Sequence, residues 1–303
     1  MTNILVTGSS GFVGAHLVPY LLDNGYEVTG VDRSPLKNPA GHGSFHFIEA
    51  DTTRPGEWQD AVSAADVVIN LAGVSIFRRW TKKAKALIYE SRILTTRNVV
   101  HAMLEGKARV LCSTSAVGFY GPRGDEIIDE SASAGDDFLA RVGVDWENEA
   151  LKAEKKGARV VLDRFGIILG KNGGALASML PAYRMFVGGP LGDGRQWFPW
   201  VHMNDLVAAH LFVIENPEVS GPVNFNAPNP VRNRELSDTI AKVLNRPAFF
   251  RVPGFVLRTA AGEFGEMLLN GQRVYPKKLI DHGFEFQYPE IESAIRASID
   301  LEG

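Results

Sequence analysis

The chain has 303 residues, 45% of them hydrophobic and 22% charged, a balance that suits a soluble globular protein of one large domain or two smaller ones. Its 32 basic and 35 acidic side chains leave a net charge of −3 and are interspersed, so no basic tail or stripe points to nucleic acid. The single cysteine, Cys112, excludes an intramolecular disulfide and a multi-cysteine metal site, and no HExxH spacing suggests a metal.

The opening residues, MTNILVTG, run into a short apolar segment with no basic leader or small-residue cleavage site. No apolar run approaches the roughly 20 residues of a membrane span, and a reducing, cytoplasmic location is expected.

In chain order, NILVT, EVTGVD, FHFIEA, DVVINLAG, ARVLCSTS and ARVVLDRFG read as strands, with FVGAHLVPYLLDNG and stretches around 81–104 and 137–156 as helices between them. That alternation predicts an α/β fold with a doubly wound parallel sheet. After about residue 170, Gly/Pro/Asn-rich segments intervene, as is usual for loops over the carboxyl ends of such a sheet. The expected division is an α/β domain over 1–170 and a smaller region over 171–303, interleaved with it.

VTGSSGFVGAHL places Gly8, Gly11 and Gly14 between the first strand and the first helix. Such a loop, here with Ser9, Ser10 and Phe12, can turn tightly and bring backbone N–H groups and the helix N-terminus against a pyrophosphate. The next strand ends in Asp32, placed to accept hydrogen bonds from an adenosine ribose, which favours NAD. Arg33 follows and would suit the 2′-phosphate of NADP. The balance leans slightly to NAD. Asp51 is a candidate adenine contact, with loop capping the alternative reading.

TGSSGFVG, NLAG (70–73) and STSAVGFYG (113–121) resemble the glycine motif, fourth-strand signature and serine-containing fifth strand of extended short-chain dehydrogenases/reductases. GGAL (173–176), GRQWFPWVHMNDL (194–206) and GQRVYPKKL (271–279) resemble more narrowly that superfamily's atypical "epimerase family" branch, which carries a distinctive C-terminal segment, here about residues 252–300. The resemblance implies a Rossmann fold, NAD or NADP as cofactor, and Leu71, Ala72 and Gly73 beside it. It also makes Ser115 the match to the catalytic Ser/Thr and a nucleotide sugar a plausible substrate. A homodimer through exposed helices fits the same fold.

The superfamily's proton relay is a Tyr with a Lys four residues on, whose ammonium lowers a phenol pKa of about 10. DFLARVGVDWENEAL (137–151) reads as the corresponding amphipathic helix but contains neither residue. Setting the register by EAL (149–151) puts Arg141 and Asp145 at the two positions. Replacements are therefore sought in Ser115, Tyr120, Asp145 and His202, the last having a suitable unperturbed pKa but also lying at a helix start, where Asn204 looks like the cap. Asp145, Glu147 and Glu149 together read more simply as a solvated helix face. Arg141 and Arg195 are candidate clamps for a substrate phosphate or carboxylate, and Trp197 and Trp200 candidate stacking surfaces. Two functions fit: an NAD(P)-dependent oxidoreductase or epimerase-like enzyme acting on a nucleotide-linked or other small polar substrate, and a dinucleotide-binding sensor without turnover.

Overall fold

A computed structural model describes residues 2–35 and 43–299. Seven parallel strands form the central sheet: β1 Asn3–Thr7, β2 Glu27–Asp32, β3 Phe45–Glu49, β4 Val67–Asn70, β5 Val110–Ala116, β6 Arg159–Phe165 and β7 Gly221–Phe225. Their order is β7-β6-β5-β4-β1-β2-β3, so the chain winds outward in both directions from β1. The carboxyl ends of β1 and β4 meet where that direction reverses, the position at which open α/β sheets bind ligands.

The strands are apolar on both faces because helices cover both. Ile4 and Val6 of β1 pack on one side with Leu17, Val18 and Leu21 of helix α1 (Gly14–Asp23) and with Leu206, Val207 and Val213 of α6 (Met203–Glu215). Leu5, one residue out of phase, points to the other side. There it meets Val62 of α2 (Trp58–Ala64) and Val99, Val100 and Met103 of α3 (Lys82–Glu105). Shortening Leu17, which is 0% exposed, to Ala would cost about 2–5 kcal/mol.

The chain beyond 170 is not separate from this sheet. It supplies β7 and α6, and adds a smaller core in which Trp200, Leu236 and Ile240 of α7 (Asn233–Leu244) pack with Leu176 of α5 (Gly174–Arg184) and Ile291 and Ile295 of α11 (Ile291–Ser298). Buried Asp205 of α6 ties the C-terminal segment down by accepting from the backbone N–H of Gln287 at 2.7 Å and of Tyr288 at 3.0 Å. Between these helices, α8 (Gly254–Ala261), α9 (Glu263–Leu268) and α10 (Lys277–Asp281) lead back across the sheet. Among the described residues, no helix is long and apolar enough to cross a membrane.

Candidate functional site

The glycine loop is shaped for a close backbone approach. Gly8 has φ +69°, and a Cβ there would stand 3.0 Å from the Leu71–Ala72 backbone of the NLAG turn. A Cβ on Gly14 would meet Gly8 O at 2.4 Å, so α1 can begin only by packing directly on the turn. No acidic side chain occupies the first turn of α1, which leaves its positive end available to an anion. The residues thus fit a pyrophosphate.

Asp32, at the end of β2, accepts from the Ser10 N–H of the glycine loop at 3.0 Å and from the N–H of the following Arg33 at 2.7 Å. Arg33 is exposed at the rim, and the Ser10 hydroxyl donates to Ser34 O at 2.6 Å. Asp51 accepts from the N–H and hydroxyl of Thr53, capping its own turn, and these bonds hold its carboxyl below the usual range. Behind the loop, Thr7 donates to Asn70 at 2.7 Å, and Asn70 and Trp146 of α4 (Phe138–Ala150) both donate to Thr96 Oγ1, at 2.9 and 2.8 Å.

A cleft of about 800 Å³ opens from Phe12 of this loop toward the end of β5. Its walls are mostly apolar, with Ile76, Phe77, Trp80, Phe138, Leu139 and Met267 among them. Phe12 reaches the cleft because 173–174 are glycines: a Cβ on Gly173 would lie 2.3 Å from its ring. The polar groups facing the cleft near β5 are few. Among the described residues the buried Thr114 Oγ1 has no hydrogen-bond partner, and Ser115 is 2% exposed.

Ser115 belongs to a buried network that strand register assembles. Ser115, Arg164 and Asn224 are direct neighbours across β5, β6 and β7. Ser115 Oγ donates to Glu147 Oε1 at 2.6 Å, and Arg164 grips the same carboxylate with Nε and Nη2, both at 2.7 Å. Arg164 Nη1 also donates to the Tyr120 hydroxyl at 2.9 Å, which in turn donates to Asn224 Oδ1 at 2.7 Å. The guanidinium carbon lies 3.6 Å from the Phe119 ring centroid, so the charge is sandwiched between a carboxylate and an aromatic face. Glu147 and Arg164 are 5% and 3% exposed.

The profile of the NAD dependent epimerase/dehydratase family matches residues 4–227. The chain belongs to this family. A second profile, a domain of unknown function designated DUF1731, matches residues 252–298. The "Epimerase family protein SDR39U1 homolog, chloroplastic" of Arabidopsis thaliana is 40% identical over 97% of this chain and 86% of that protein. YfhF of Bacillus subtilis is 38% identical over 97% and 96%. The crystal structure of human epimerase family protein SDR39U1 with NADPH superposes with TM-score 0.87, at 30% identity, covering 98% of this chain and 99% of that one. The complex of MoeE5 with UDP-glucuronic acid and NAD, at 20% identity and TM-score 0.81, shares the fold.

Within this epimerase-family fold, the helix expected to hold the Tyr/Lys relay presents different residues from those the EAL register selects. Arg141 and Asp145 are exposed, the first bonded to Asp136 O and the second accepting from Tyr89 at 3.0 Å. Val142 and Trp146, four apart on the adjoining stripe, line the cleft instead. Neither can transfer a proton at neutral pH.

Several other expectations place residues away from the cleft. Tyr120 is fully buried beneath it, and burial pushes its hydroxyl up to about 12, with Arg164 opposing the shift; it supports the network and does not reach a ligand. Trp200 is 0% exposed, a core residue whose indole donates to Asn229 O at 3.1 Å. His202, not Asn204, caps α6: its Nδ1 accepts from the Asn204 N–H at 3.2 Å, and burial pulls its pKa down to about 4. Arg195 is exposed and its carbonyl accepts from Arg232. Trp197 does line the cleft, flanked by the guanidiniums of Arg232 and Arg273 at 4.3 and 4.7 Å and donating to Asp125 at 2.8 Å.

Arg164, Thr114 and Arg92 are the polar residues that sequence reasoning missed, whereas Glu147 and Glu149, expected with Asp145 on a solvated face, are buried at 5% and 7% exposure. One signal was available for Glu147 and Arg164. Asp163 and Arg164 interrupt a strand that is otherwise apolar, and a charge inside a strand buried on both faces demands a buried partner.

Proposed function

We propose that this protein is an NADP(H)-dependent oxidoreductase of the epimerase/dehydratase family whose chemistry takes place in the apolar cleft, with Ser115 and Thr114 handling the substrate oxygen in place of the usual tyrosine. The continuity of the cleft from Phe12 of the glycine loop to the hydroxyls at the end of β5 is the observation that carries this reading. A dinucleotide held on the loop supplies hydride chemistry at that junction.

The chain's own residues do the rest. The Ser115 hydroxyl donates to Glu147 and keeps its lone pairs for a substrate O–H. On oxidation of an alcohol, that proton passes to Ser115 while the serine proton passes to Glu147, and reduction runs the same path in reverse. Arg164 fixes the carboxylate by two N–H groups, and the aromatic walls exclude water.

Asp32 and Arg33 support NADP over NAD. The carboxylate is bonded to the Ser10 amide of the glycine loop and to the Arg33 N–H, and the exposed Arg33 guanidinium at the ribose end matches a 2′-phosphate. The human relative's NADPH supports the same choice.

The test is a screen for NADPH oxidation with small ketones and aldehydes, followed by Ser115→Ala and Thr114→Val. Turnover that drops about 10²-fold or more with unchanged NADPH affinity supports the reading. Tight NADPH binding with no turnover on any carbonyl compound would favour a non-catalytic dinucleotide sensor.

A further inference from the structure

Arg92, on α3, is a cation without a counter-ion at the seam between the NLAG turn and the cleft. Its Nη1 donates to the backbone carbonyls of Val74 at 2.9 Å and Ile88 at 3.0 Å. Its Cζ lies 3.3 Å from where a Cβ on Gly73 would stand, and 5.1 Å from the Trp146 ring centroid. It lines the cleft together with Thr114 and Ser115.

Among the described residues, no carboxylate pairs with it. The acidic side chains around the cleft are committed elsewhere: Glu263 to Lys85, Glu266 to Arg258, and Asp137 to the Ala140 N–H as the cap of α4. Burial pulls the guanidinium pKa down to about 10, so it remains charged at neutral pH. A half-buried charge held by backbone dipoles and one aromatic face gains from an anion that completes it.

We infer that Arg92 anchors a carboxylate, or another planar oxyanion, of a substrate whose body is apolar and lies against Ile76, Phe77, Trp80, Phe138 and Leu139. This deepens the proposed function and rests on its assignment of the cleft to the substrate. A nucleotide sugar would bring a diphosphate into a lining where the carboxylates Asp137, Glu263 and Glu266 outnumber the cation Arg92. A compact anionic amphiphile satisfies both Arg92 and the apolar surface around it.

The experiment titrates the NADP⁺-saturated protein with 2-naphthoate and, separately, with its neutral isostere 2-naphthamide. The carboxylate is expected to bind at least about 10-fold more tightly. In Arg92→Gln that preference disappears, while affinities for the amide and for NADP⁺ change by less than about 3-fold. Arg92→Met keeps the apolar stem, gives the same result, and serves if the glutamine variant misfolds. Equal binding of the two probes to the wild-type protein overturns the inference, as does a carboxylate preference that survives both substitutions. A loss of NADP⁺ affinity of about 10-fold in either variant would assign the guanidinium to a cofactor phosphate instead. The same titration without cofactor separates this inference from the one above: a charge preference that depends on Arg92 in a protein binding no dinucleotide would sink the proposed function and leave the anion site standing.

Discussion

Ser115 and Glu147 are joined, hydroxyl to carboxylate, at 2.6 Å, although 32 residues separate them in the chain. The bond spans from the end of β5 to the buried face of α4, the helix from which the family's tyrosine and lysine are missing. The carboxylate that meets the serine is itself gripped by Arg164, so the polar centre of the site is built from beneath the sheet edge inward. Arg164 positions the carboxylate, and Ser115 lies at the cleft end of the network.

The pair should dominate local stability. Glu147→Ala would leave Arg164 buried without a counter-ion, and urea denaturation should show a loss of about 3–5 kcal/mol. A loss under about 1 kcal/mol would mean that water reaches the guanidinium and that the network is not the closed unit described.

The two residues at the end of β2 should separate by cofactor. Arg33→Ala is expected to weaken NADPH binding about 10-fold and leave NADH binding unchanged, because only the 2′-phosphate calls on the guanidinium. Calorimetric titration with both nucleotides reads this directly. An equal effect on both would remove Arg33 from phosphate recognition.

His202 should make stability depend on pH. Burial, with a smaller contribution from His16, lowers its pKa from 6.5 to about 4 in the folded chain. Above pH 6.5 it is neutral folded and unfolded and contributes nothing. As pH falls below 6.5 the unfolded chain takes up a proton that the folded one refuses, and stability declines until about pH 4. A pKa of about 4 in place of 6.5 corresponds to roughly 3 kcal/mol. Protonating Nδ1 also abolishes the cap on α6. His202→Asn keeps a capping acceptor and removes the titration, so its denaturation midpoint should fall less between pH 6.5 and 4. Parallel curves for the two proteins would contradict this.

Gly173→Ala should disturb the entrance to the cleft. Its Cβ would occupy the Phe12 ring position, 2.3 Å from the nearest ring carbon. The cost in stability is expected to be about 1–3 kcal/mol, together with weaker dinucleotide binding as Phe12 pushes back into the glycine loop. Thermal melts with and without NADPH check both; an unchanged ligand-induced shift would separate Phe12 from the cofactor.

The sheet and the glycine loop were legible because both are written in local pattern. Short apolar runs at βαβ spacing gave six of the strands, and Gly8, Gly11 and Gly14 marked the turn between β1 and α1. The seventh strand, GPVNF at Gly221–Phe225, begins with Gly and Pro and falls among loop-like segments, and only its pairing with β6 defines it. The site was harder because its polar residues are defined by pairings across strands. Glu147 looks like its exposed neighbour Asp145 until Arg164 is known to lie opposite it. Arg92 sits within the polar sequence YESRIL, where nothing local marks it as facing an apolar cleft. Conversely, Tyr120, Trp200 and His202 drew attention as reactive or aromatic types, and each turned out to satisfy its polar atom inside the core.

The most direct test of the account is a calorimetric titration of the purified protein with NADPH and NADH, repeated for Gly14→Ala. A Cβ at that position would meet Gly8 O at 2.4 Å and force the N-terminus of α1 away from the turn. The account predicts one NADPH per chain, weaker NADH binding, and loss of both in the variant. Binding of neither nucleotide by the wild-type protein, or binding that the alanine leaves intact, would contradict it.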